Sequence, residues 1–271
     1  MPIEFELEMY PEKEIVLPFF SGHISRGILL HMLQQVNPAI SEQLHEPNVM
    51  KAYSVTPIYF RSKGKTEEGY SIDLTSPCRV KIRFLTEKYA QEIIEYFKEK
   101  VSLQIYNSTF QISRIGVKSK DYSELINEAE AVEAFKLYFK TPTYLATMGS
   151  EFNCLFPEQT KIFPNLMRLW NEYTTAIKFS KEELMEYKTW LTKNTGVTGY
   201  ELKTKPPIIM GKKKVNGFIG WAIYKMEENE KWNKVTDMLA KFAEFSNIGG
   251  NRTGGFGVVK YTPKEIISSH V

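Results

Sequence analysis

The feature that most constrains this fold is a change of hydrophobic period that occurs twice, in the same order. Ile3, Phe5, Leu7 and Met9 alternate with Glu4, Glu6 and Glu8, which predicts a strand with one buried face ending at Pro11. From Ser21 the period lengthens. Ile24, Ile28, Met32 and Val36 recur every fourth residue with Leu29 and Leu33 beside them, which predicts a helix ending near Asn37 and Pro38. A short helical turn is expected over Ala39 to Leu44. AYSVTPIYF and CRVKIRFLT read as strands around a polar loop from Ser62 to Gly69, and Tyr89, Ile93 and Phe97 with Ala90 and Ile94 form a helical stripe. LQIYNSTFQISRIGVK completes the set, so the order is strand, helix, strand, strand, helix, strand.

The polar, acidic run from Ser119 to Glu130 reads as a domain junction, after which the order recurs. EAFKLYFKTPTYL is strand-like; Leu166, Leu169, Trp170, Tyr173 and Ile177 mark a helix starting behind Pro164. GYELKTKPPIIM and VNGFIGWAIYKM are strand-like around the basic turn GKKK, Trp232, Val235, Leu239 and Phe242 mark a helix, and FGVVKYTP is the last strand. The expected class is α+β: two tandem ferredoxin-like, RRM-like βαββαβ domains, over 1–124 and 125–271. The repetition is in pattern and not in residues.

Composition narrows the chemistry. At 271 residues and 42% apolar content the chain can build real cores. Its 35 Lys and Arg against 32 Asp and Glu leave a formal charge of +3, so any anion-binding surface is local. Cys78 and Cys154 have neither the density of a disulfide scaffold nor the spacing of a zinc site, which predicts a reducing compartment and no structural metal. His23, His31 and His45 likewise have no common zinc-ligand spacing. No run approaches the roughly 18 apolar residues of a membrane span. The acidic start MPIEFELEMY is unlike a signal peptide, so the chain is expected in the cytoplasm, without a membrane partner.

FSNIGGNRTGGFGVVKY holds five glycines between Gly249 and Gly257, lying between a helix pattern and a strand pattern. Glycine permits close backbone approach and positive φ, and successive N–H groups in such loops form anion-binding nests. No Lys-Ser/Thr follows as in a P-loop, and helix-to-strand is the reverse of the Rossmann order, which disfavours a nucleotide cofactor; none is expected. A plain turn with C-capping glycines is one reading; Arg252 at its centre favours phosphate contact.

NIGGNRTGGFG resembles the C-terminal signature of the CRISPR-associated RAMP proteins: Gly-h-Gly with h apolar, five residues including a basic one, then Gly-h-Gly. Gly255, Phe256 and Gly257 match the second half, Arg252 is the basic residue, and Asn247, Ile248 and Gly249 stand for the first half. Asn247 replaces a glycine, and asparagine tolerates positive φ better than other residues. NGFIGWAIYK and FPNLMRLWNEYT are similar to segments of the Cas-six endoribonucleases, which cut precursor CRISPR RNA within its repeats. NPAISEQLHEPNVMKAYSV resembles that family's segment with a histidine followed six residues later by a lysine, here His45 and Lys51.

The resemblance implies metal-free cleavage in which a 2′-OH attacks the adjacent phosphate, leaving a 2′,3′-cyclic phosphate and a 5′-OH. It implies His45 as general acid or base and Lys51 as electrostatic stabiliser. Family members often carry a tyrosine near Leu30 and His31, so His31, or else His23, is the candidate for a second catalytic side chain; His270 reads as tail. RNA contacts are expected from Arg26, Gly249, Gly250, Arg252, Gly254, Gly255, Gly257, Lys203, Lys205 and Lys213, with Arg61 to Lys65 a further basic cluster. No RNP-like aromatic pattern is evident, so RNA is expected along loops and the cleft between domains. The implied partner is CRISPR repeat RNA; pairing with itself and association with an interference complex stay open. The alternative reading is a non-cleaving RAMP subunit that binds guide RNA.

Overall fold

The computed structural model describes residues 1–46, 49–147, 149–210 and 213–263, with the backbone alone at 207, 209, 210 and 213. The chain forms two compact units, one of 1–119 with 253–255 and the other of 120–252 with the residues from 256 onward.

The first unit runs β1 (Ile3–Pro11), β2 (Val16–Pro18), α1 (Gly22–Val36), α2 (Pro38–His45), β3 (Tyr53–Val55), β4 (Ser62–Lys65), β5 (Gly69–Ile72), β6 (Cys78–Phe84), α3 (Ala90–Glu99), β7 (Ser102–Ile105) and β8 (Ser108–Ser119). Its main sheet has the order β3-β6-β1-β8-β7. Counting only the strands of the repeated pattern, that is second, third, first, fourth: the ferredoxin-like order, with β7 added at the edge. Alternation along β1 sends Phe5, Leu7 and Met9 to one face, where they are buried with Val80, Ile82, Ile28, Leu29, Met32, Leu33 and Ile93. The opposite face carries Glu4, Glu6 and Glu8 opposite Arg83, Lys81 and Arg79, register partners on β6. The expected polar loop from Ser62 to Gly69 is instead a hairpin. β4 and β5 pair there, and β2 joins them in a separate sheet of order β2-β5-β4.

The second unit runs α4 (Tyr122–Asn127), β9 (Ala134–Thr143), α5 (Gln159–Tyr173), α6 (Lys181–Asn194), β10 (Thr195–Met210), β11 (Lys213–Met226), α7 (Glu230–Ser246) and β12 (Val259–Pro263). Its sheet, β10-β11-β9-β12, repeats the ferredoxin-like strand order. Phe135, Leu137, Phe139, Ala222 and Tyr224 are buried with Leu166, Trp170, Leu239 and Phe242.

Three elements depart from expectation. The run read as a junction contains α4, whose Asp121 and Glu124 form a capping box and whose Tyr122 packs edge-on against Trp170 at 4.8 Å. Helix α5 starts at Gln159 and keeps Pro164 inside; burial of Ile162 and Phe163 holds the turn that proline leaves one hydrogen bond short. Helix α6 was not expected at all. It is stapled by a Ser180–Glu183 capping box and buries Tyr187, Trp190 and Leu191.

Candidate active site and RNA-contact residues

Helix α2 begins with Pro38 at its first turn, where the missing N–H is an orphan in any case, and folds back on α1. The Ser41 hydroxyl donates to the Leu30 carbonyl at 3.2 Å, and Ser41 and Leu44 bury the inner side of α2. His45, the last residue of α2, thereby comes beside Arg26 of α1, nineteen positions earlier. An Arg26 Nη2 lies 3.4 Å from His45 Nδ1. Guanidinium only donates, so in this contact Nδ1 accepts and the ring hydrogen sits on Nε2. His45 is exposed.

Lys51 completes the cluster. Its Nζ donates to the Glu46 backbone carbonyl, one residue beyond His45. Burial lowers the Lys51 pKa below the ordinary lysine value; the positive charge of Arg26 lowers it further, while the Glu46 carboxylate works the other way. Arg26 thus links the cluster at the junction of α1 and α2: its guanidinium touches the His45 ring and its charge acts on Lys51. His31 is exposed and five residues beyond Arg26, which is about 140° around the helix. Among the described residues no contact joins it to His45. His23, at the start of α1, has its pKa lowered by burial. Among the described residues no three His, Cys, Asp or Glu side chains come together as metal ligands would.

Residues 1–96 match the family model of the CRISPR Cas6 N-terminal domain, and residues 137–259 match that of the CRISPR-associated endoribonuclease Cas6. The chain belongs to the Cas6 family. It is 26% identical over 137 residues to the CRISPR-associated endoribonuclease Cas6 of Streptococcus thermophilus, a match covering 51% of this chain and 54% of that protein. The chain therefore spans about half the length of that curated relative. A Cas6 product complex from Thermus thermophilus superposes with a TM-score of 0.80 at 20% identity, covering 97% of this chain and 100% of the other. A RAMP protein described as binding different RNA substrates superposes at 0.63 with 14% identity, covering 96% and 99%. At these identities the likeness is one of fold.

The glycine stretch of this Cas6 chain is built for close packing. Asn247, in the place of the signature's first glycine, has φ 59° and ψ 171°, a region almost reserved for glycine. Its buried amide holds the turn, donating to the carbonyls of Phe256 at 3.0 Å and Arg252 at 3.3 Å. Gly257 has φ 68°, and a Cβ there would strike the Ile248 carbonyl. Gly249 and Gly250 lie against Tyr144, whose carbonyl accepts from the Gly250 N–H at 3.1 Å. Gly254 and Gly255, counted with the first unit, meet Gly22 backbone to backbone, with no room for a Cβ on Gly22. Arg252 is half-buried and donates to the Ser246 carbonyl at 2.7 Å, at the C-terminus of α7.

Lys203 is exposed and Lys205 half-buried, both on β10. Lys212, the side chain of Lys213, and His270 lie outside the described residues. In the basic cluster, Lys63 pairs with Glu14 at 2.8 Å and Arg61 with Asp73 at 3.6 Å. The sequence reading passed over a group on the solvent face of the second sheet: Tyr138 and Trp221, directly opposite each other on β9 and β11, with Lys136 between them. Strand register brings them together, and no local pattern announces it.

Proposed function

We propose that this chain is a cytoplasmic endoribonuclease that cuts precursor CRISPR RNA within its repeats, without a metal, leaving a 2′,3′-cyclic phosphate and a 5′-OH. The observation that carries the reading is the Arg26–His45–Lys51 cluster in a chain of the Cas6 family. Strand cleavage by an internal 2′-OH forms a 2′-oxygen–phosphorus bond as the phosphorus–5′-oxygen bond breaks. A proton leaves the 2′-OH, one arrives on the 5′-oxygen, and negative charge grows on the phosphate. His45 serves the proton exchange through Nε2, the nitrogen that Arg26 leaves uncovered. Lys51 and Arg26 offset the phosphate charge.

Phosphate also competes with His45 for the guanidinium, because a charge-assisted bond to an anion is stronger than one to a neutral ring. The glycine stretch with Arg252, together with Lys203, Lys205 and Lys213, serves to hold the RNA; His31 is the second histidine to test.

The experiment is cleavage of an end-labelled repeat RNA in excess EDTA at saturating protein, with binding followed in parallel. His45→Ala is expected to slow cleavage by about 10²–10⁴-fold with affinity kept. Cutting at the wild-type rate by His45→Ala, with loss in His31→Ala, moves the chemistry to His31. Binding without any cut by the wild type makes the chain a non-cleaving RNA-binding subunit.

A further inference from the structure

The two central strands of the second sheet, β9 and β11, carry their aromatic residues on both faces. Phe135, Phe139, Phe218 and Tyr224 point inward and are buried. Tyr138 and Trp221 point outward, in one cross-strand row that runs Lys260, Tyr138, Trp221, Glu201 over β12, β9, β11 and β10. Tyr138 is 36% exposed and Trp221 half-buried. Lys136, two residues back on β9, holds its ammonium 4.9 Å from the Tyr138 ring centre and 4.2 Å from that of Trp221. Lys140, by alternation along β9, and Lys203 and Lys205, by alternation along β10, share this face.

Lysines of all four strands, Lys225 of β11 by the same alternation, therefore share a face with two aromatic rings, with Glu201 the one acid in the row, accepting from the Trp221 indole N–H at 3.3 Å. Among the described residues none of these lysines is in an ion pair. Like charges gathered on one face suit an anion. Flat rings at its centre suit a planar group, and lysine is depleted from the cores of protein–protein interfaces. The ligand with phosphates in a row and unpaired planar groups beside them is single-stranded nucleic acid.

We infer that this face stacks two unpaired bases of an RNA strand on Tyr138 and Trp221, with the phosphates passing along the lysines. The inference rests on the proposed function only for the source of that strand, an unpaired part of the RNA being processed. Lys136 now lies over the Trp221 ring and donates to the Tyr138 hydroxyl at 3.2 Å; both contacts are exposed and individually weak, so a stacking base displaces the ammonium, which then meets a phosphate. Duplex RNA does not fit, because paired bases offer no ring face.

The test is anisotropy of a fluorescein-labelled octauridylate with the full chain, alongside quenching of tryptophan fluorescence. Trp221→Ala and Tyr138→Ala are each expected to weaken binding by roughly 5- to 100-fold. Trp221→Phe should keep most of the affinity, since it keeps a stacking ring while losing the bond to Glu201. Thermal melts check folding, and Lys136→Gln, which leaves the core alone, is expected to weaken binding and flatten its salt dependence.

Alanine variants that fold and bind as the wild type would overturn the inference, as would equal losses in Trp221→Phe and Trp221→Ala. A polyglutamate chain of matched charge is expected to bind without dependence on Trp221; the same dependence would mark a protein-docking face and sink the RNA assignment. Octauridylate contains no repeat, so a failure of repeat cleavage leaves this result standing, and a failure here leaves cleavage at His45 untouched.

Discussion

The two sheets share a strand order, yet their solvent faces differ: the first is laced with ion pairs, the second carries two aromatic rings. On the first, Glu4 binds Arg83 and Lys81, each at 2.6 Å, Lys81 also meets Glu6 at 3.3 Å, and Arg79 pairs with Glu8 at 2.9 Å. Acids on β1 face bases on β6 and pair with them, while β8 sets Lys118 and Arg114 on the other side of Glu4 and Glu8. On the second, lysines collect around Tyr138 and Trp221 with Glu201 as the one acid in the cross-strand row. Backbone topology decides which residues share a face; the charge pattern along the strands decides how much of that face is taken up in ion pairs. A duplicated architecture thus carries two different surfaces without a change of fold.

The strongest way to break this contrast is to remove the acid at the centre of the first face. Glu4→Gln takes the carboxylate charge away from Arg83, whose side chain is 7% exposed, and is expected to cost about 3 kcal/mol in chemical denaturation, whereas Lys260→Gln on the second face should stay within about 0.5 kcal/mol. Burial raises the Glu4 pKa, but Arg83 and Lys81 together outweigh it and leave the carboxyl below its ordinary value. A lowered folded pKa means the stabilisation is whole above the ordinary carboxylate range and drains away as pH falls through the lowered value. Glu4→Gln should lack that acid-side loss, so wild-type and variant stabilities should converge in acid; parallel curves would show that Glu4 is not the linked group.

The corner at the end of α2 sharpens the comparison next. Lys51 gives up its proton more readily than an ordinary lysine, so the cleavage rate is expected to fall on the alkaline side below the ordinary lysine pKa. Lys51→Arg stays charged throughout and should move that fall to higher pH at a several-fold lower rate, read from a pH–rate profile; an unmoved limb would assign it elsewhere. The smallest effect is a slope. Each single lysine-to-glutamine change at 140, 203 or 260 should lower the log–log salt slope of single-stranded RNA binding by about 0.7, while Lys81→Gln on the first face should leave it unchanged.

Much of this was legible along the chain. The alternation from Ile3 to Met9 defined β1 and both of its faces, and Asn247 in a glycine's place pointed correctly to positive φ. Local chemistry sufficed there because neighbours in sequence carried the constraint. Helix α6 had its signal in Ser180, Glu183 and the spacing of Tyr187, Trp190 and Leu191, hidden among polar residues that look like loop. Pro164 misled for the opposite reason: it is a helix breaker on local grounds, overruled by burial. The Arg26–His45 contact depends on how α2 folds back, and the pairing of Tyr138 with Trp221 joins residues eighty-three positions apart. No window along the sequence contains either pair.

The meeting of Gly22 with Gly254 and Gly255 also sets a timetable. Three residues of the first unit, 253–255, lie far beyond its main stretch of 1–119. On a ribosome adding roughly 5–20 residues per second, the strands and helices of that unit emerge on the order of ten seconds before its last piece. Until then the start of α1 has no Gly254 to pack against. A fragment cut after Ser119 would lack that contact permanently, so the packing around Gly22 is completed only once the chain has been made through Gly255.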